Sequence, residues 1–314
     1  MFAAAAAGAL IAASLASAAE AKQLSPSAVE TYTPVQSAQS VEEYWTPERL
    51  AAAKDVDLPK LDASADVGTD GFEDAAPQEI VSKPAVVDDV GAEDAAHFSR
   101  AVGHLYFTNK AGGNSRCSAS ALNSDSKRLI LTAGHCIHAG DGNANNVGTW
   151  HTNILFIPGY HQGTGVAGQF AGGTLGAPQG WTRQGDFRHD MGMVVSGNNA
   201  SGQRLVDAVG GQGLVTNPNH SSYVHIVGYP SNRDGGQVQW NCWGTTASDY
   251  SGATLRLNCG WGPGSSGSPW IRDYASNGYG YAVGNMQGQL GDKNFSPYYG
   301  SSMVNLWNAM KNAS

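Results

Sequence analysis

The chain has 314 residues, 41% of them hydrophobic and 14% charged, with 41 glycines. There is ample material for a core, and low charge with abundant glycine indicates a loop-rich β protein. Charge is uneven: residues 20–96 hold 17 acidic and 5 basic side chains, net −12, while 97–314 hold 9 and 13, net +4. So slight a basic balance, with no basic patch or stacking platform, gives no indication of a nucleic-acid partner.

In chain order, residues 1–19 run from Met1-Phe2 through an alanine-rich stretch to Ala16-Ser17-Ala18, the pattern of a secretory signal peptide. No Lys or Arg precedes Lys22, so the usual basic leader is missing. A membrane anchor is the weaker reading, since a span needs about 20 strongly apolar residues and most of these are alanine. A secreted chain with no membrane partner is therefore expected. Residues 20–96 are acidic, poor in aromatics and dotted with Pro26, Pro34, Pro47, Pro59, Pro77 and Pro84. Such a stretch cannot bury much apolar surface alone. Low order is expected, either as a linker or as a pro-segment that blocks a cleft until it is cut. The charge break opens the main domain, 97–314, and Arg100-Ala101 is an exposed candidate processing site.

Strand-like runs follow at His104 to Thr108, Lys127 to Thr132, Thr152 to Ile157, Ser222 to Gly228, Gly235 to Trp243, Ser268 to Tyr274 and Gly280 to Asn285. They are rich in β-branched and aromatic residues and separated by Gly, Asn and Pro. Only Ser302 to Asn312 has helical spacing, with Met303, Leu306, Trp307 and Met310 on one face. Four cysteines in a secreted chain imply two disulfides with three possible connectivities. No CxxC pair or HExxH occurs, so no metal or cofactor is expected.

Two separated blocks carry chemistry: Leu131-Thr132-Ala133-Gly134-His135-Cys136 and Gly264-Ser265-Ser266-Gly267-Ser268-Pro269. A serine hydroxyl is a weak nucleophile near neutrality and needs a base of pKa near 7, which histidine supplies. Ser266 and His135 fit those roles. Glycines beside the serine let the backbone approach a substrate closely, and the N–H groups of Gly264 and Ser266 could face a developing oxyanion. A third group must orient the imidazole, and Asp190, entering the apolar run Met191 to Val195, is the candidate. The order His135, Asp190, Ser266 differs from that of subtilisins and α/β-hydrolases. The hydrolase elbow G-x-S-x-G also fails, because Ser268 stands at its last glycine.

With these blocks, the chain resembles the chymotrypsin-like serine peptidases, and within them the bacterial branch that includes the glutamyl endopeptidases. The resemblance covers roughly the last two thirds of the chain. It implies an all-β fold of two six-stranded antiparallel barrels with a C-terminal helix, and an active site in the cleft between barrels. It implies a Cys117–Cys136 disulfide, which leaves Cys242 with Cys259 in two β-rich runs. It also implies a secreted serine endopeptidase, expected as a monomer, acting on protein or peptide substrates through an acyl-enzyme, with its own pro-segment as inhibitor.

Departures bear on specificity and activation. The acid that precedes the nucleophile in chymotrypsin is Ser265 here, so activation through an ion pair with a new N-terminus is unavailable. Gln287 is a candidate support for Asp190, at the place where relatives use a serine. Where glutamyl endopeptidases hold the substrate carboxylate with a histidine and a small hydroxyl residue, this chain has Met286 and Trp261. With Gln287 they outline an apolar pocket that disfavours Glu. Against that, all eight glutamates lie at or before Glu93, as would suit a Glu-cutting enzyme that spares itself. A Glu-specific endopeptidase and a non-catalytic binding protein of the same fold are the alternatives.

Overall fold

The computed structural model describes residues 25–61, 76–87, 99–140, 150–249 and 252–314. The expected signal peptide, 1–19, lies outside the described residues. Among the described residues no helix is long and apolar enough to cross a membrane.

Six antiparallel strands close into the first barrel. Val102–Thr108 pairs with Asn114–Leu122, then come Leu129–Thr132, Gly192–Ser196, Phe170–Pro178 and Thr152–Pro158, which returns to Val102–Thr108. Strand geometry sends alternate side chains to opposite faces. Leu105 and Phe107, Cys117, Ala119 and Ala121, and Ile154 and Phe156 accordingly enter one core with Ile130, Phe170 and Val194. The nine-residue strand Phe170–Pro178, which is not among the expected runs, reads FAGGTLGAP. Its glycines hide the period-two pattern, yet Gly172 is needed, because a Cβ there would press on Ile154.

The second half has two sheets around one core. Trp240–Thr245, Tyr223–Gly228, Pro269–Arg272, Tyr281–Asn285 and Gly213–Thr216 form one, extended by Glu79–Ser82 from the N-terminal part. Ala247–Asp249, Thr254–Asn258, Lys293–Pro297 and Gly288–Leu290 form the other. Val224, Ile226 and Trp270 from the first sheet pack with Leu255 beneath the second. The Cys242–Cys259 disulfide links the sheets, with its Cα atoms 6.0 Å apart. Of the run expected as a strand from Gly235 to Trp243, the beginning is a 3-10 turn at Asp234–Gly236, where Asp234, Gly235 and Gly236 take positive φ. Extended pairing starts only at Trp240.

The closing helix, Ser301–Met310, buries Met303, Leu306, Trp307 and Met310. This is the expected face, and it packs on Leu129, Leu131, Met193 and Val195 of the first barrel.

The N-terminal part takes up structure by leaning on both halves. Val29–Tyr32 pairs antiparallel with Leu175 to Pro178 of the barrel. Ser37 caps the helix Ala38–Tyr44, and Thr46 with Pro47 opens the helix Pro47–Ala52. Val41 and Trp45 are buried, and the Trp45 ring lies 5.4 Å from that of Tyr106. The expected low order does not hold for residues 25–61 in the full chain, because the barrel supplies the apolar contacts that the stretch lacks alone. Arg100-Ala101, however, is not an exposed processing site. Ser99 and Ala101 are fully buried, and the Ser99 N–H and carbonyl are both bonded to the Gln239 amide.

Candidate active site

The strand Leu129–Thr132 is wholly buried and delivers the chain into a 3-10 turn, Gly134–Cys136, that carries His135. Pairing of Thr132 with Gly192 brings the start of the neighbouring strand alongside, and Asp190 sits just before it. Gly134 is required there. A Cβ at this position would come within 2.7 Å of the Trp181 ring and 3.0 Å of Asp190 Oδ1. Cys136 is tied to Cys117, with the Cα atoms 6.2 Å apart, which fixes the histidine turn to the adjacent strand.

Asp190 holds His135 twice. The His135 backbone N–H donates to Asp190 Oδ1 at 2.8 Å, and Nδ1 lies 2.7 Å from Oδ2. The carboxylate is 1% exposed. A buried acceptor of this kind sets Nδ1 as the protonated nitrogen and leaves Nε2 to accept. Asp190 is itself supported by Asn285, whose Nδ2 donates to the Asp190 carbonyl at 3.1 Å while its Oδ1 accepts from the Tyr299 hydroxyl at 3.0 Å. Gln287 does not take that role: its side-chain amide is buried without a hydrogen bond to Asp190. The strand to Asn285 turns the Asn285 side chain toward the first barrel, and Gln287 lies beyond its end.

Behind the histidine turn, His151 stacks on Phe107 with centroids 4.6 Å apart, and its Nε2–H donates to the His135 carbonyl at 3.3 Å. Burial, together with the neighbouring His138 and His135, pushes the His151 pKa down to about 3, so this ring is neutral.

Ser266 lies in a turn pinned by its backbone. Its carbonyl accepts from Ser118 N–H at 2.8 Å, and Gly267 N–H donates to the Met286 carbonyl at 2.8 Å. Gly264 and Gly267 have φ of +82° and +81°, the left-handed region that favours glycine. A Cβ on Gly267 would also collide with Thr132 Oγ1 and come within 3.0 Å of Ala133 N. The serine turn therefore abuts the residues that lead into His135. Among the polar atoms buried here without hydrogen bonds are His135 Nε2 and Ser266 Oγ. Of the expected oxyanion donors, Gly264 N–H donates to the Val56 carbonyl at 2.9 Å.

Trp261 and Met286 are buried in one apolar cluster with Leu58 and Val283. His220 stacks on Tyr298 with its Nε2 on the Gly252 carbonyl, and His225 lies between the Trp243 and Tyr274 rings. Among the described residues, the one cluster of metal-ligand type is Cys117, His135 and Cys136, whose sulfurs are joined to each other. Asn285 is the residue that sequence reasoning missed, since a strand-end asparagine carries no signal of its partner.

No protein-family model matches the chain, and no curated protein sequence does. Solved structures do. The protease Anisep from Arthrobacter nicotinovorans is 28% identical at a TM-score of 0.62, covering 69% of this chain and 98% of its own. The thermostable serine protease AL20 from an extremophilic microorganism is 27% identical at 0.62, covering 71% and 100%. A Glu endopeptidase shares the fold at 20% identity and a TM-score of 0.56, covering 73% and 96%. The chain has the chymotrypsin-like fold and is similar to serine proteases of that fold.

Proposed function

We propose that the chain is a secreted serine endopeptidase that uses Ser266 as nucleophile, His135 as general base and acid, and Asp190 to orient the imidazole. The observation that carries this reading is the double hold of Asp190 on His135, with Nε2 and the Ser266 hydroxyl left unbonded beside one another's loops. Ser266 Oγ attacks the substrate carbonyl carbon as its proton passes to Nε2. Gly264 and Ser266 N–H groups receive the oxyanion. The C–N bond then breaks, the leaving amine takes the proton from Nε2, and an acyl-Ser266 remains. Water attacks that ester as its proton passes to Nε2, the ester C–O bond breaks, and Nε2 returns the proton to Ser266 Oγ as the carboxylic acid product leaves.

An apolar pocket of Trp261 and Met286 supports cleavage after uncharged side chains rather than after Glu. The two disulfides fit an oxidising compartment and, with residues 1–19, support secretion. Ser266→Ala in the processed enzyme tests the proposal by casein hydrolysis. Nearly all activity should go, leaving a residue about 10³–10⁴ above the uncatalysed rate. Unchanged hydrolysis by a folded variant would refute it, and a wild-type protein that binds peptides without cutting them would favour a binding role.

A further inference from the structure

Between the helix Pro47–Ala52 and Leu61, the N-terminal part crosses the candidate active site. Lys54 and Asp55 pair in parallel with Ser115 and Arg116. The Asp55 carboxylate receives Arg116 Nε at 2.7 Å and Nη2 at 3.0 Å, a two-pronged ion pair. Burial opposes the charge on Arg116, but the Asp55 carboxylate outweighs it and holds the guanidinium above its ordinary pKa. The Val56 carbonyl then takes the Gly264 N–H. Asp57 points to solvent, and Leu58, 3% exposed, enters the apolar cluster of Trp261 and Met286. Finally Gln289 N–H donates to the Pro59 carbonyl at 3.0 Å and Leu61 N–H to the Gln289 carbonyl at 3.1 Å, with Lys60 and Gln289 in a parallel bridge.

The direction of this path matters. In a substrate, the carbonyl at the oxyanion donors belongs to the residue whose side chain fills the acyl pocket, and the chain continues toward the leaving-group side. Here the carbonyl belongs to Val56, the pocket is filled by Leu58 two residues later, and the chain continues along Gln289 on the pocket side. Resting on the peptidase reading above, we infer that Lys54–Leu61 occupies the substrate cleft in reverse and is an inhibitor built into the chain that its own site cannot cut. Gly288 fits the same path, because a Cβ there would come within 2.7 Å of the Pro59 carbonyl. The pocket thereby names the side chain it accepts, an unbranched-at-Cβ aliphatic of leucine size.

The test compares the full chain, isolated before processing, with the processed enzyme, using a fluorophosphonate that labels an activated serine. The full chain should label at least tenfold more slowly. Full-chain Leu58→Ala and Asp55→Asn should each recover a tenfold or greater share of the rate, and residues 54–61 should stay intact through prolonged incubation with active enzyme. A photo-cross-linker replacing the exposed Lys60 in the otherwise unaltered full chain should capture Gly288 to Leu290. Equal labelling of full and processed forms, cleavage between Val56 and Pro59, or capture beside Cys117 and Cys136 would each overturn the reversed inhibitor. Failure of the processed enzyme to label would instead defeat the peptidase reading, while the cross-link still reports which way the segment lies.

Discussion

Replacing Asp190 by Asn isolates the orienting role because the substitution is nearly isosteric in a site where the carboxylate is 1% exposed. The wild-type carboxylate accepts two bonds from His135, at 2.8 Å from the backbone and 2.7 Å from Nδ1. An asparagine keeps one acceptor, which the backbone N–H claims, and turns its amide NH₂ toward Nδ1. The imidazole must then accept at Nδ1 and carry its proton on Nε2, where it cannot take one from Ser266. A wrong tautomer of this kind costs about 10⁴ in kcat, or roughly 5.5 kcal/mol of barrier, while substrate binding is little changed. The assay is steady-state hydrolysis of a fluorogenic peptide by the processed enzyme, with folding checked by circular dichroism. Activity within tenfold of wild type in a folded variant would refute the argument.

Three further outcomes are expected. Stability should fall as pH drops below about 6.5, because His151 and His104 are held neutral, His104 chiefly by burial and then by Arg116. Each is protonated more readily in the unfolded chain, so its contribution is complete above the unfolded pKa and is lost toward the folded one, about 3 for His151, by up to about 1.4 kcal/mol per pH unit. Urea midpoints at pH 7 and pH 5 measure this, His151→Gln should flatten the slope, and equal midpoints in wild type would contradict it. Peptides with Leu before the scissile bond should be cut about a hundredfold better than those with Glu, since burying an unpartnered carboxylate costs several kcal/mol; a mass-spectrometric library digest showing Glu preferred would reverse the pocket assignment. N-terminal sequencing of the processed enzyme should place its start before Ser99, whose backbone is locked by Gln239, and a start at Ala101 would show that this lock opens.

What was legible in the sequence was chemistry confined to short blocks. His135 and Asp190 are joined by two hydrogen bonds across the fold, both disulfides join the expected cysteines, and the helical face of Met303, Leu306, Trp307 and Met310 is buried as its spacing required. Less legible were features whose cause lies across the fold. Asn285 supports Asp190 only because the second half sets its strand end against the first barrel, and glycines obscured Phe170–Pro178. The acidic composition of 20–96 concealed four well-spaced apolar residues, Val41, Trp45, Leu58 and Leu61, each buried against a surface supplied by the barrels. Composition reports how much a segment can bury by itself and is silent about what it can bury against a neighbour.

Covalent labelling tests most directly whether Ser266 is the nucleophile of a peptide-cutting enzyme. The processed enzyme, treated with a biotinylated fluorophosphonate and digested for peptide mapping, should carry one label, on Ser266, with activity lost in step with incorporation and with no label on His135→Ala. Label on another residue, or full peptidase activity after stoichiometric modification of Ser266, would contradict the account.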